Sequence, residues 1–440
     1  MNQTQNYVDA SLEVLRKNDL GHSTKPAPQL YPHQWSWDSA FIAIGLAHTN
    51  LDRALLELET LFNAQWKDGR VPHIVFNPAS TDYFPGPDRW MCSELNSDAP
   101  KEPATSGIIQ PPVHALAVAT IAAKSTDAAL RARIKTLYPK LVAWHRYLLT
   151  QRDPEKLGLI TIYHPWESGT DNSPRWDAPL ANVTVGNVPA YTRRDTKHVS
   201  DPSERPSQAE YDRFLWLVEC LKKAKYDDSE VYKTYPFLVK DALMSSIFAL
   251  SNHAMIGMFH EFGTNESDLA DMKKWQTRVL DGILEHSWSH EKKLALDLDT
   301  EKGCSQIQVS TCAGLSPILI PGLDPKIARQ VVERIFDNDF AGHKDMKYAV
   351  VPSTTPGTTG FHPRAYWRGP SWPPINWLYW YGLKQNGFAK EAEALKLSNL
   401  QLLERPEAKF GEYFELINGT QLGSADQSWT AATVLDWLAK

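Results

Sequence analysis

"ALMSSIFALSNHAMIGMF", residues 242 to 259, carries apolar or small side chains on nearly every face of the helix its spacing predicts. A helix without a wet face has to be covered all round. "DAALRARIKTLYPKLVAWHRYLL", residues 127 to 149, is its opposite: Leu130, Ile134, Leu137, Leu141, Trp144 and Leu148 form one stripe, and charges fill the remaining surface. That pattern predicts an outer helix wet on one side.

Both kinds recur along the chain. "SAFIAIGLA" (Ser39 to Ala47), "PPVHALAVATIAA" (Pro111 to Ala123) and "STCAGLSPILI" (Ser310 to Ile320) share the all-round apolar character, whereas Leu55, Leu58, Leu61 and Phe62, and the run from Leu269 to Leu284, are one-sided. Pro111 and Pro112 suit a first helical turn, where a missing N–H costs little, and Ser207 with Glu210 forms a capping box that starts another helix. Few strands are predicted. The expectation is an all-α fold, an (α/α)6 barrel in which inner helices meet at a funnel lined by long loops. Such a barrel needs twelve helices; about thirteen candidates are present, so one is a connection. No Ser/Gly or Pro/Thr linker divides residues 1–440, which predicts one domain with its main loop insertions around 67–110 and 151–206.

Bulk properties narrow the function. With 42% hydrophobic and 22% charged residues, a net charge of −6 and no long Lys or Arg run, a nucleic-acid or anionic-membrane partner is not expected. The N-terminus lacks a basic start followed by an apolar stretch, so a cytoplasmic protein is expected. Cys92, Cys220, Cys304 and Cys312 are scattered and read as reduced thiols. His-x-x-x-His and His-Glu-x-x-His spacings are missing, so no metal site and no cofactor are expected. A homo-oligomer is compatible with the sequence.

Sixteen tryptophans and sixteen tyrosines are a heavy load, most of it core filling. The informative ones sit beside acids, amides and glycine in "YPHQWSWDSAF" (31 to 41), "HPWESGTDNSPRWD" (164 to 177), "RAYWRGPSWPPINW" (364 to 377) and "FGEYFELINGTQLGSADQSWTAA" (410 to 432). Flat aromatic faces and planar polar groups are what a sugar pocket requires. Glycoside hydrolysis adds two carboxyls flanking the bond, one protonated and one ionised. The loop from His164 to Asp177 supplies three candidates for the acid, Glu167, Asp171 and Asp177, tied on spacing; Glu412 and Glu415 are candidates for the base.

The ordered motifs "QWSWDSAFIAIGLAH", "DGRVPHIVF", "WESGTDNSPRWD", "YWRGPSWPPINW" and "GEYF…SWTAA" resemble glycoside hydrolase family 63, in particular its bacterial glucosylglycerate and mannosylglycerate hydrolases, from Tyr31 to Trp437. The resemblance implies the (α/α)6 barrel, an inverting mechanism on a small α-glucoside, glucosylglycerate foremost, with no cofactor, and carboxyls about 6.5–9.5 Å apart. It implies Asp171 as general acid and Glu412 as general base. Asp38 would hold glycone hydroxyls, and Tyr31, Trp35, Tyr83, Gln110, Trp166, Gly169, Arg205, Tyr211, Tyr366, Trp367, Trp372 and Gln427 would complete the substrate pocket. Trp176 and Pro174 would keep Asp171 dry. Arg205, in "DPSERPSQAEYD", would pair with the carboxylate of glycerate. "EYFELINGTQLG" departs from the family's "EYYDPxTG" and leaves Glu415 open as an alternative base.

Rival readings remain: a mannosylglycerate hydrolase or neutral α-glucosidase of this family, a sugar epimerase or isomerase using His33, His114 or His362, and a non-catalytic carbohydrate-binding protein.

Overall fold

The computed structural model describes residues 3–197, 199 and 201–439. Among the described residues, six helices form an inner ring: α2 (Ser36–Leu46), α4 (His114–Lys124), α7 (Ala242–Phe262), a 3-10 helix (Cys312–Leu319), α10 (Pro373–Gln385) and α12 (Ser428–Leu438). Each packs on the next, and α12 closes the ring against α2. Outside them lie α1 (Gln3–Asn18) on α12, α3 (Leu51–Asn63) on α2 and α4, and α5 (Ala128–Gln151) on α4 and α7. α8 (Glu266–Gly282) covers α7, α9 (Pro325–Ile335) covers the 3-10 helix, and α11 (Ala389–Leu403) covers α10. The surplus candidate is α6 (Gln208–Lys223), a connection outside the two rings; its Ser207–Glu210 capping box is present.

Burial follows the two sequence patterns. All eleven residues of α2 are buried, whereas α9 buries Ala328, Val331, Val332 and Ile335 along one stripe. α7 is long and apolar enough to cross a membrane by length and composition, and most of it is enclosed by the ring.

Two expectations change. Pro111 and Pro112 precede α4 rather than opening it, because a proline drives the residue before it out of helical geometry; the segment instead delivers Gln110 to the funnel. The apolar run at 310–320 is 3-10 rather than α-helical. Pro317 inside it has no N–H for an α-type bond, and Thr311 is held extended by pairing with Thr354.

The inner helices begin at the same end, and short strand pairs tie the loops there. Gln34–Trp35 pairs with Ile74–Val75, and Tyr413–Phe414 with Gln421–Leu422. Residues just before or just inside the inner helices therefore converge from distant parts of the chain.

Candidate active site

A pocket opens where the inner helices begin. Tyr31, Trp35 and Asp38 enter it from the start of α2, Tyr83 from the 67–110 loop, and Gln110 from the segment before α4. Trp166, Gly169 and Asp171 come from the 164–177 loop, Arg205 and Tyr211 from the start of α6, Tyr366 and Trp367 from the segment before α10, and Glu412 and Gln427 from the last hairpin and the N-cap of α12. Trp372 stands apart: it is not in the pocket wall. Its ring stacks on Trp367 at 3.7 Å and on Tyr413 at 4.6 Å, so it backs the wall from behind.

The 164–177 loop is built from two 3-10 turns, Pro165–Ser168 and Pro174–Trp176. Its three acids have different fates. Glu167 is fully buried; Arg152 grips it with two hydrogen bonds of 2.9 Å, and the amides of Ile109 and Tyr163 donate to it at 3.1 and 2.6 Å. Asp177 lies outside, paired with Arg368 at 2.9 Å. Only Asp171 reaches the pocket.

Gly169 directs it there. Its φ of +70° is left-handed, and a Cβ at this position would stand 2.6 Å from Trp37 Cζ2. Gly169→Ala should therefore cost about 1–2 kcal/mol in backbone strain alone and displace the Asp171 loop; thermal unfolding and kcat should both fall, and an unchanged kcat would remove the turn from the site's construction.

Beneath the loop, Arg175 pairs with Asp297 at 2.8 Å and donates to Thr170 at 2.7 Å, while Trp176 Nε1 donates to the Thr170 carbonyl at 3.1 Å. Neither Trp176 nor Pro174 lines the pocket. Trp176 packs against Phe237 and under the Arg175 guanidinium, anchoring the loop.

Enclosure by protein pushes the Asp171 carboxyl up to about 7; the Arg205 charge opposes this and Glu412 reinforces it. One face of Asp171 remains open to the cavity. Burial, with Glu412 and Asp171 nearby, also holds Asp38 well above the usual carboxylate range. Asp38, Asp171 and Glu412 share the pocket, and their mutual repulsion favours retaining a proton among them.

Glu412 receives donors on both oxygens. Tyr31 donates to Oε1 at 2.6 Å, and the Ser424 amide to Oε2 at 2.9 Å. Arg205 Nη1 stands 3.9 Å from Oε1. Gly423, at φ +65°, lies against this carboxylate, where a Cβ would collide with it. Glu415 turns away: its oxygens accept the amides of Ile417 and Asn418 at 2.9 and 2.8 Å and close the turn that departs from the family pattern.

Two tyrosines link the acids. The Tyr31 and Tyr366 hydroxyls are 3.3 Å apart, one on Glu412 and the other within hydrogen-bonding reach of Asp171. Arg205 is buried, with Cζ 3.9 Å above the Tyr366 ring. Tyr211 lies under Arg193, and its hydroxyl donates to the Phe84 carbonyl at 3.4 Å.

The three histidines considered for proton transfer do not line the pocket. His33 accepts the Asn77 amide at 3.1 Å, and burial lowers it to about 4. His114 packs on Ser36 between helices, lowered by burial to about 3. His362 is exposed and accepts the Arg364 amide.

The pocket also contains Trp37, His73, Asp195 and Trp429, which the sequence reading did not select. Trp37 and Trp429 stand within motifs already quoted, at the starts of α2 and α12, where helix phase could have found them. Asp195 sits in a polar loop with no pattern to distinguish it. Among the described residues, no three His, Cys, Asp or Glu side chains group as metal ligands.

Residues 31–430 match the model of the mannosylglycerate hydrolase MGH1-like glycoside hydrolase domain. The chain is 43% identical to the glucosylglycerate hydrolase of Mycolicibacterium hassiacum, covering 97% of this chain and 96% of that protein. It is 41% identical to the mannosylglycerate hydrolase of Thermus thermophilus, covering 97% and 99%. The crystal structure of a GH63 mannosylglycerate hydrolase from Thermus thermophilus in complex with Tris and D-glycerate superimposes with a TM-score of 0.89 at 39% identity, over 98% of this chain and 99% of that one.

Proposed function

The chain belongs to the mannosylglycerate hydrolase MGH1-like glycoside hydrolases of family 63, and from that premise we propose that it hydrolyses glucosylglycerate to glucose and glycerate with inversion. It is a glycoside hydrolase; the substrate, the stereochemistry and the residue roles are the proposal. The carrying observation is a carboxyl that keeps its proton to about pH 7 in an aromatic pocket shared with a second carboxylate ringed by donors.

In this mechanism Asp38 and Gln110 bind glycone hydroxyls between the faces of Trp35, Trp166 and Trp367. Asp171 gives its proton to the glycosidic oxygen as the bond to the anomeric carbon breaks. Glu412 takes a proton from a water whose oxygen bonds to that carbon from the opposite face. One water is consumed, Asp171 ends ionised and Glu412 protonated, and exchange with solvent resets both. Tyr31 holds Glu412 Oε1, leaving Glu412 few orientations from which to address the water.

Arg205 supports a carboxylate-bearing leaving group: a planar cation buried beside the acids suits two parallel hydrogen bonds to glycerate. Charge-assisted bonds of this kind are worth about 1.5–3 kcal/mol. Arg205→Gln should thus raise KM for glucosylglycerate by about 10–100-fold and leave a neutral α-glucoside within about threefold; equal losses would dismiss the anionic leaving group.

Mannosylglycerate is the second reading, supported by the Thermus thermophilus relative. The deciding experiment offers glucosylglycerate, mannosylglycerate and neutral α-glucosides to the enzyme and follows the first-formed anomer by NMR. The β-anomer from an α-glucoside supports inversion, the α-anomer dismisses it, and faster turnover of mannosylglycerate transfers the activity to that substrate.

A further inference from the structure

Arg205 stands where a leaving group's charge and the charge of the catalytic pair meet. Its Nη1 is 3.4 Å from the Tyr31 hydroxyl and 3.9 Å from Glu412 Oε1, and its Nε is 3.6 Å from Asp195 Oδ2. The Tyr366 ring beneath the guanidinium carries the hydroxyl that faces Asp171. Two neighbouring cations are already committed: Arg193 forks onto Asp195 at 3.0 and 2.6 Å, and Arg194 at the rim pairs with Asp82 at 3.0 Å.

We infer that Arg205 makes the chemical step, and not binding alone, depend on the substrate's negative charge: a leaving-group carboxylate that pairs with Arg205 cancels the positive charge beside the catalytic carboxyls and so keeps the proton on Asp171. This rests on the reading that the leaving group presents a carboxylate to Arg205.

The groups facing Asp171 come from every wall. Glu412 arrives from the last hairpin, Tyr366 from the segment before α10, Asp38 from α2, Tyr83 from the 67–110 loop and Arg205 from the approach to α6. Ionised Glu412 holds the proton on, whereas the positive charge of Arg205 draws it off. In the unliganded pocket that pull acts on a carboxyl poised near neutrality, so its removal moves the acid across the working pH range. A neutral leaving group of the same shape dries the pocket equally but adds no negative charge beside Arg205. Such a glucoside binds and then meets an acid that loses its proton at a lower pH than it does beside a leaving-group carboxylate.

The test compares the pH dependence of kcat, which reports the substrate-bound enzyme, on glucosylglycerate and on glucosylglycerol, whose CH2OH replaces the carboxylate. The expected result is an alkaline limb about one pH unit or more higher with glucosylglycerate, and a glucosylglycerol limb raised by about as much in Arg205→Gln. Coincident limbs in the wild-type enzyme overturn the inference, and that comparison needs no variant to fold. If the wild type separates the substrates by KM while its limbs coincide, the carboxylate reading stands and the coupling falls. If neither KM nor the limb separates them, both fall.

Discussion

Asp171→Asn should lower kcat for glucosylglycerate by about 10³-fold, within the range of a positioned general acid, while KM changes by less than about threefold. Asparagine keeps the size and the seat above the Gly169 turn but has no proton to give. The loss should depend on the leaving group: an activated aryl α-glucoside departs without protonation and should lose only about tenfold. The alkaline limb near pH 7 should disappear with the carboxyl. A uniform loss across leaving groups, or a persisting limb, would move the acid elsewhere. Stability should move the other way. A carboxyl whose folded pKa lies above its unfolded value is undisturbed at low pH and costs the folded state increasingly as pH rises from about 4 through 7. Asp171→Asn should accordingly raise Tm at pH 7 and have little effect at pH 3.5.

Glu412→Gln should be at least as damaging, about 10³–10⁴-fold in kcat, and here leaving-group activation should give no relief. Its defect is in water activation, which every glucoside shares. Glutamine can still accept the Ser424 amide, but an NH2 turned toward the Tyr31 hydroxyl replaces an acceptor with a donor. The acid limb of the pH profile should vanish and the alkaline limb should stay. An intact acid limb would dismiss Glu412 as the base. Glu415 is a poor substitute because its oxygens are spent on the Ile417 and Asn418 amides.

The alternation of all-round and one-sided apolar helices was enough to anticipate two concentric rings, because burial on every side is a property of the local sequence. The 3-10 geometry at 312–319 was not legible, since it depends on a distant partner at Thr354 as well as on the visible Pro317. The three tied acids show the same limit more sharply. What separates Glu167, Asp171 and Asp177 is Arg152 at the end of α5, the Trp37 ring against Gly169, and Arg368 nearly two hundred residues downstream. None of these is a neighbour in the sequence. Family resemblance chose Asp171, and the structure supplies the physical reason it alone faces the pocket. Trp367 and Trp372 were indistinguishable by type and context; which one meets the cavity is fixed by how the chain turns into α10.

The closure of α12 against α2 also bears on how the protein is made. Asp38 belongs to the first inner helix, while Glu412 and Gln427 belong to the last hairpin and the cap of the last helix, so the pocket is assembled from both ends of the ring. During synthesis the apolar faces of α2 and α4 emerge long before their ring partners exist. Contacts so remote in sequence form late and slow folding, and uncovered helices invite aggregation meanwhile. A chain halted before the last hairpin has an open ring, and Asp171 in it has no Glu412 to face.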